Sequence, residues 1–195
     1  MKCLKWCCRI ILLFFVIGCN PHKREIKQAM KYWMGREIIF PDSCLAMNIF
    51  GKDTLLYAWF GQPYKIVHYV DTSGCNECQL KFYEWQQLRK RVDSLNPNIG
   101  IVYMVFAKNY TPVRISQKLN HFSTPVLYDS LGNIGRKNHF SLYPKYKTFL
   151  LDTHNQVIGI GNPVENERIW ELYKMIIRQN DTTNDIEKNG REGFE

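Results

Sequence analysis

Along this chain, apolar positions recur with helical spacing in some stretches and run unbroken in others, and the switches between the two patterns mark the elements. Ile26, Met30 and Trp33 fall at i, i+4 and i+7, which predicts an amphipathic helix over 23–34 with Gly35 placed to end it. Residues 36–41 (REIIFP) read as extended. Two apolar runs, 44–50 (CLAMNIF) and 54–60 (TLLYAWF), flank Gly51-Lys52-Asp53 and predict a hairpin, and Gly61-Gln62-Pro63 marks a boundary.

Beyond that boundary the pattern changes. Tyr64 to Val70 (YKIVHYV) predicts a strand that runs out into Asp71-Thr72-Ser73-Gly74. The stretch 75–95 reads as helical, with Cys78, Phe82, Trp85, Val92 and Leu95 on one stripe and Gln86, Arg89 and Lys90 away from it. Ile99 to Phe106 (IGIVYMVF) is apolar throughout and suits a strand buried on both faces. Residues 112–121 predict a short helix with Pro112 in its first turn. Pro125 to Asp129 predicts a brief strand and 131–139 a weak helix. Thr148–Leu151 and Gln156–Ile160 predict a hairpin around Asp152-Thr153-His154-Asn155. Ile169, Leu172, Tyr173 and Ile176 share one face of a closing helix over 168–177. The tail over 179–195 is polar and expected to be disordered. Strands alternating with helices imply an α/β fold, a central mixed sheet flanked by helices, with a small N-terminal helix-plus-hairpin extension.

Composition changes this picture mainly at the N-terminus. Of 195 residues, 45% are hydrophobic and 23% charged, which are globular proportions, and formal net charge is +8. Lys2, Lys5 and Arg9 precede an apolar run, Ile10 to Ile17, that is short of the roughly 20 residues a membrane span needs. Basic start, short apolar core and small exit residue fit a signal peptide over 1–18. The exit, Val16-Ile17-Gly18-Cys19, resembles the bacterial lipobox, in which cleavage leaves a lipidated Cys19. Removal of 1–18 lowers the formal charge to +5, because three basic residues and no acid are lost. The basic balance is therefore partly an export feature, and no nucleic-acid partner is expected. Several acyl chains on Cys19 would hold the protein to a membrane in the cell envelope, periplasmic or at the cell surface. On this reading the chain divides into 1–18, an extension over 19–62, a main domain over 63–178 and the tail over 179–195.

Of seven cysteines, Cys75 and Cys78 form a C-x-x-C pair where a strand hands over to a helix. A thiol at a helix start meets unpaired amides and the positive end of the helix dipole, which favour thiolate. Cys75 is then the attacking sulfur and Cys78 the resolving one. Glu77 is either a proton acceptor for Cys78 or a solvated helix residue whose charge opposes the thiolate. A static disulfide is one rival reading. Another is a metal site drawing on Cys44, His68, His121, His139 or His154, none at paired spacing. Thr72 before Cys75 gives a peroxidase-like Thr-x-x-Cys, but His68 stands where that pattern needs Pro.

Strand, C-x-x-C, strand, helix, PVLYD, an F-L-L-D hairpin and a closing helix together resemble the thioredoxin fold, most closely the exported, membrane-anchored TlpA/ResA-type thiol–disulfide oxidoreductases, over about residues 60–178. The resemblance implies disulfide exchange at Cys75 and Cys78 with protein thiols and disulfides of the envelope. It also implies a reducing or oxidising partner protein, and no metal or organic cofactor. The chain departs from the family at three places: Gly74 replaces the Trp before the first Cys, and Tyr69 stands where many relatives carry a buried acid. Pro144, the only candidate for the substrate-facing cis-proline, lies two residues further from Phe149 than the family spacing, which puts Tyr146 at the matching place. These departures leave a non-catalytic thioredoxin-fold lipoprotein, a binding or assembly module, as the alternative.

Overall fold

The computed structural model describes residues 21–40, 45–50, 61–71, 80–96 and 99–192. The chain forms two compact units, Met1–Tyr32 and Trp33–Glu195. In the first lies helix α1 (Pro21–Trp33), whose final residue belongs to the second unit. Gly35 follows at φ +75°, the left-handed conformation that ends a helix most cheaply at glycine.

The second unit contains β1 (Leu45–Met47), β2 (Tyr64–Asp71), α2 (Phe82–Leu95), β3 (Ile99–Phe106), α3 (Thr111–Leu119), β4 (Val126–Tyr128), α4 (Asn133–Lys137), a 3-10 turn over Phe140–Leu142, β5 (Thr148–Leu151), β6 (Val157–Ile160) and α5 (Glu167–Glu192). The described strands form one mixed sheet in the order β1-β4-β3-β2-β5-β6. β2, β3 and β4 run parallel, and β1, β5 and β6 are antiparallel to their neighbours. The strands expected at 64–70 and 99–106 become the two central strands, in unbroken register from Tyr64↔Ile99 to Asp71↔Phe106. The first apolar run of the N-terminal extension joins the sheet as well: Leu45 pairs with Tyr128 at its edge. Its expected hairpin partner, 54–60, lies outside the described residues. The opposite edge, β6, is covered by the extended segment 35–38, through Gly35 N–H to the Val157 carbonyl (2.8 Å) and Ile38 N–H to the Asn155 carbonyl (2.9 Å).

Alternation along β2 splits the core into two layers. His68 faces α2, its ring 4.6 Å from Trp85 and 5.1 Å from Tyr103. Ile66, Val70, Phe82, Leu88, Val92 and Phe122 are buried with them. Tyr69 faces the other way, 4.8 Å from Phe140, which stacks on Phe149 beside Trp33. No helix among the described residues is long and apolar enough to cross a membrane.

Three expectations need correcting. The helical stretch over 75–95 is not continuous, because Leu80 is a turn residue and Lys81 is left-handed at φ 44° before α2 begins at Phe82. The break follows from tertiary bonding: the wholly buried Leu80 carbonyl accepts the Tyr103 hydroxyl, and Lys81 instead supplies the first helix carbonyl, to Trp85 N–H. Leu95, expected on the buried stripe, is 38% exposed at the end of α2. The closing helix also runs past residue 177 as far as Glu192, through much of the polar stretch expected to be disordered. One anchor there is the Tyr64 hydroxyl, which donates to Asp181 Oδ1 at 2.9 Å, a contact between residues 117 apart that periodicity cannot show.

Candidate functional site

Parallel strands end together, and their carboxyl ends are where α/β sheets present ligand-handling groups. Here that edge is set by Asp71 opposite Phe106 and by Val105 opposite Tyr128. The chain leaves β2 at Asp71 and returns at Leu80, which is wholly buried. Cys75, Glu77 and Cys78 are carried on the connection between these two points, outside the described residues, and Cys19 also lies outside them.

The residues framing the connection are well defined. Tyr69 is 4% exposed, and its hydroxyl donates to Asp129 Oδ2 at 3.1 Å. The same oxygen accepts Ile134 N–H (3.0 Å) and Gly135 N–H (3.2 Å), so a 5%-exposed carboxylate just beyond β4 caps the start of α4. Burial, then the charge and hydrogen bond of Asp129, push the Tyr69 phenol far above its ordinary pKa. An acid is thus present behind this edge, at the residue just beyond β4 and not on β2. PVLYD was readable as a strand ending in a polar residue, but its pairing with Tyr69 spans 60 positions and left no local signal.

On the opposite face of β2, His68 Nδ1 shares a 2.8 Å hydrogen bond with Thr148 Oγ1. Burial, reinforced by the positive charges of Lys81 and Lys147, pushes its pKa down to about 3. The ring is neutral at any physiological pH, which makes it a packed strand residue rather than a proton donor.

The loop entering β5 holds the other two residues singled out from sequence. Pro144 is exposed and sits second in a turn closed by Tyr146 N–H on the Tyr143 carbonyl at 2.9 Å, where its fixed φ suits the bend. All peptide bonds among the described residues are trans. Tyr146 is half-buried, immediately before Lys147, whose carbonyl accepts Tyr69 N–H at 3.0 Å. The Lys147 ammonium lies 5.7 Å from the Tyr69 ring centre, and burial lowers its pKa while Asp71 opposes the shift. The structure therefore joins the 143–147 loop to the end of β2 through backbone and cation–π contacts. It does not bring Pro144 to the position before β5; Tyr146 occupies that neighbourhood.

Among the described residues no cluster of His, Cys, Asp and Glu has metal-binding geometry. No protein-family model matches the sequence, and no curated protein matches it. Solved structures do. The solution structure of a candidate thiol-disulfide oxidoreductase from Bacteroides vulgatus aligns with TM-score 0.52 and 15% identity, covering 72% of this chain and 91% of that one. StoA from Bacillus subtilis aligns with TM-score 0.45 and 20% identity, over 60% of this chain and 84% of that one. A thioredoxin-family thiol:disulfide interchange protein from Chlorobium tepidum gives 0.48 and 16%, over 69% and 95%. The fold is thioredoxin-like, a mixed α/β sheet flanked by helices.

Proposed function

We propose that the protein is a thiol–disulfide oxidoreductase held to a membrane of the cell envelope through a lipidated Cys19. Cys75 thiolate attacks one sulfur of a protein disulfide; the substrate S–S bond breaks, a Cys75–substrate disulfide forms, and one substrate thiol leaves. Cys78 then attacks Cys75 sulfur, which forms the Cys75–Cys78 disulfide and frees the second substrate thiol. Two electrons and two protons pass to the substrate, and the reverse sequence oxidises a dithiol. A separate envelope protein must reset the pair.

The observation that carries this reading is the course of the chain: the C-x-x-C lies on the eight-residue connection between Asp71 and Leu80, leaving the carboxyl end of a central parallel strand. The description of the Bacteroides vulgatus protein supports the same reaction class. The Tyr146 neighbourhood favours a second reading, a binding or assembly module without turnover, since a half-buried tyrosine rather than a proline stands in the loop ahead of β5.

Reduction of insulin by the full-length protein in neutral detergent separates the two. The exchange reading requires turnover that disappears in Cys75→Ser; turnover equal in both proteins would leave the module.

A further inference from the structure

We propose that the strip from α4 to the 143–147 loop is a docking surface for an acidic segment of the substrate protein, next to the cysteine being exchanged. The inference rests on the exchange reading and names the substrate class that the site would take.

The first observation is charge. Between Ser130 and Leu151 the chain carries Arg136, Lys137, Lys145 and Lys147 and no Asp or Glu. Arg136 and Lys137 are exposed. Four cations of the described residues are paired with acids: Lys81 with Glu165, Arg91 with Glu167, Lys174 with Glu171 and Arg89 with Asp93. Arg136 instead donates to the Leu131 carbonyl and to Asn133 Oδ1, two neutral oxygens that leave its charge uncompensated. Lys147 rests over the Tyr69 ring within the field of Asp71, so the uncompensated charge of the strip is that of Arg136 and Lys137.

The second observation is place. α4 packs so closely on Tyr69 that a methyl on Gly135 would lie 2.5 Å from the Tyr69 hydroxyl. Phe140 touches the Tyr69 ring, and the Lys147 carbonyl accepts Tyr69 N–H. The strip is therefore built onto the last residues of β2, from which the C-x-x-C connection departs at position 72. Leu131 and Leu142, 69% and 56% exposed, add apolar contact area for a polypeptide. Fixed cations beside a reacting thiol raise the local concentration of negatively charged partners and speed their association. They act over roughly a Debye length of about 10 Å at 0.1 M salt. The C-x-x-C connection leaves β2 two residues beyond Tyr69, the residue on which the strip is packed, so a peptide engaged by that connection is the partner this charge would meet.

The test uses full-length protein in neutral detergent and two disulfide peptides of one sequence, with three Glu or three Lys beside the cysteines. At low salt the Glu peptide should exchange at least about 10-fold faster, an advantage that shrinks towards unity near 0.5 M salt. Arg136→Glu/Lys137→Glu should reverse the preference, and Arg136→Gln/Lys137→Gln should remove most of it. Equal rates for the two peptides, or a preference untouched by both double variants, overturns the proposal. Anisotropy with the same peptides, their disulfides replaced by thioether, reads docking without chemistry. Charge-selective binding without Cys75-dependent exchange would sink the exchange reading and keep the acidic-segment surface. Exchange without charge selection does the opposite. Loss of binding to phosphatidylglycerol vesicles in the double variants, with no change towards either peptide, would assign the strip to lipid and overturn the proposal.

Discussion

The Tyr69 hydroxyl donates to the buried Asp129 carboxylate at 3.1 Å, so the end of β2 is bonded to the first residue beyond β4, with β3 lying between them. The bond crosses behind the edge from which the C-x-x-C connection departs, and substitutions at Tyr69, Asp129 and Gly135 test it.

Tyr69→Phe removes one of three bonds to a buried charge while keeping the ring packing. The expected cost is about 1.5–3 kcal/mol, the range for hydrogen bonds to charged groups. Asp129→Ala should cost more, because it leaves the Tyr69 hydroxyl and the amides of Ile134 and Gly135 without their acceptor. Urea unfolding orders the two; equal or negligible losses would mean that the carboxylate does not organise this edge.

Gly135→Ala puts two effects in opposition. Alanine gains up to about 1 kcal/mol of helix propensity in α4, but its methyl meets the Tyr69 hydroxyl at 2.5 Å and the ring beyond it at 3.0 Å. A ring held by Phe140 and a buried hydrogen bond cannot swing aside, so overpacking wins by about 1–3 kcal/mol. In the background of Tyr69→Phe the 2.5 Å contact is gone and only the one at 3.0 Å remains, so the double variant should be more stable than the two losses added together. Simple additivity in denaturant titrations would contradict the contact.

His68 makes stability depend on pH in a definite direction. Its folded pKa, pushed down to about 3, lies below the ordinary value of 6.5, so in acid the unfolded chain takes up a proton that the folded chain refuses. The contribution is complete above pH 6.5 and is lost as pH falls towards 3, by up to about 1.4 kcal/mol per pH unit. Unfolding free energies of the wild type and His68→Gln, measured from pH 7 to pH 4.5, should show a shallower slope in the variant. Parallel slopes would mean that the ring titrates normally.

The resolving role of Cys78 predicts a trap. Cys78→Ser should accumulate Cys75-linked mixed disulfides that run as high-mass bands without reductant, and Cys75→Ser should accumulate none. Bands in both variants, or in neither, would remove the division of labour between the sulfurs.

How much of this was legible depended on range. β2, β3, α3 and the β5–β6 hairpin follow from runs and spacings within twenty residues, and they appear where expected. The extended segment after Gly35 also appears, and its pairing with β6 gives it a partner that sequence could not name. What sequence missed was fixed at a distance. Lys81 turns left-handed because the Leu80 carbonyl is engaged by Tyr103, and α5 is tied through Asp181 to Tyr64. Asp129 acquires meaning only from Tyr69. The C-x-x-C is an expectation from residue type and spacing and lies outside the described residues; the strand and helix flanking it tell from which edge its chemistry would work.

The central claim is that Cys75 and Cys78 interconvert reversibly between dithiol and disulfide. Equilibration of the full-length protein in graded glutathione buffers, followed by acid quench, alkylation and mass measurement, tests it directly. The account predicts a single two-electron transition in which these two cysteines alone gain or lose protection together, and which vanishes in Cys75→Ser. Alkylation of both sulfurs at every ratio, or a disulfide that no ratio opens, would contradict it.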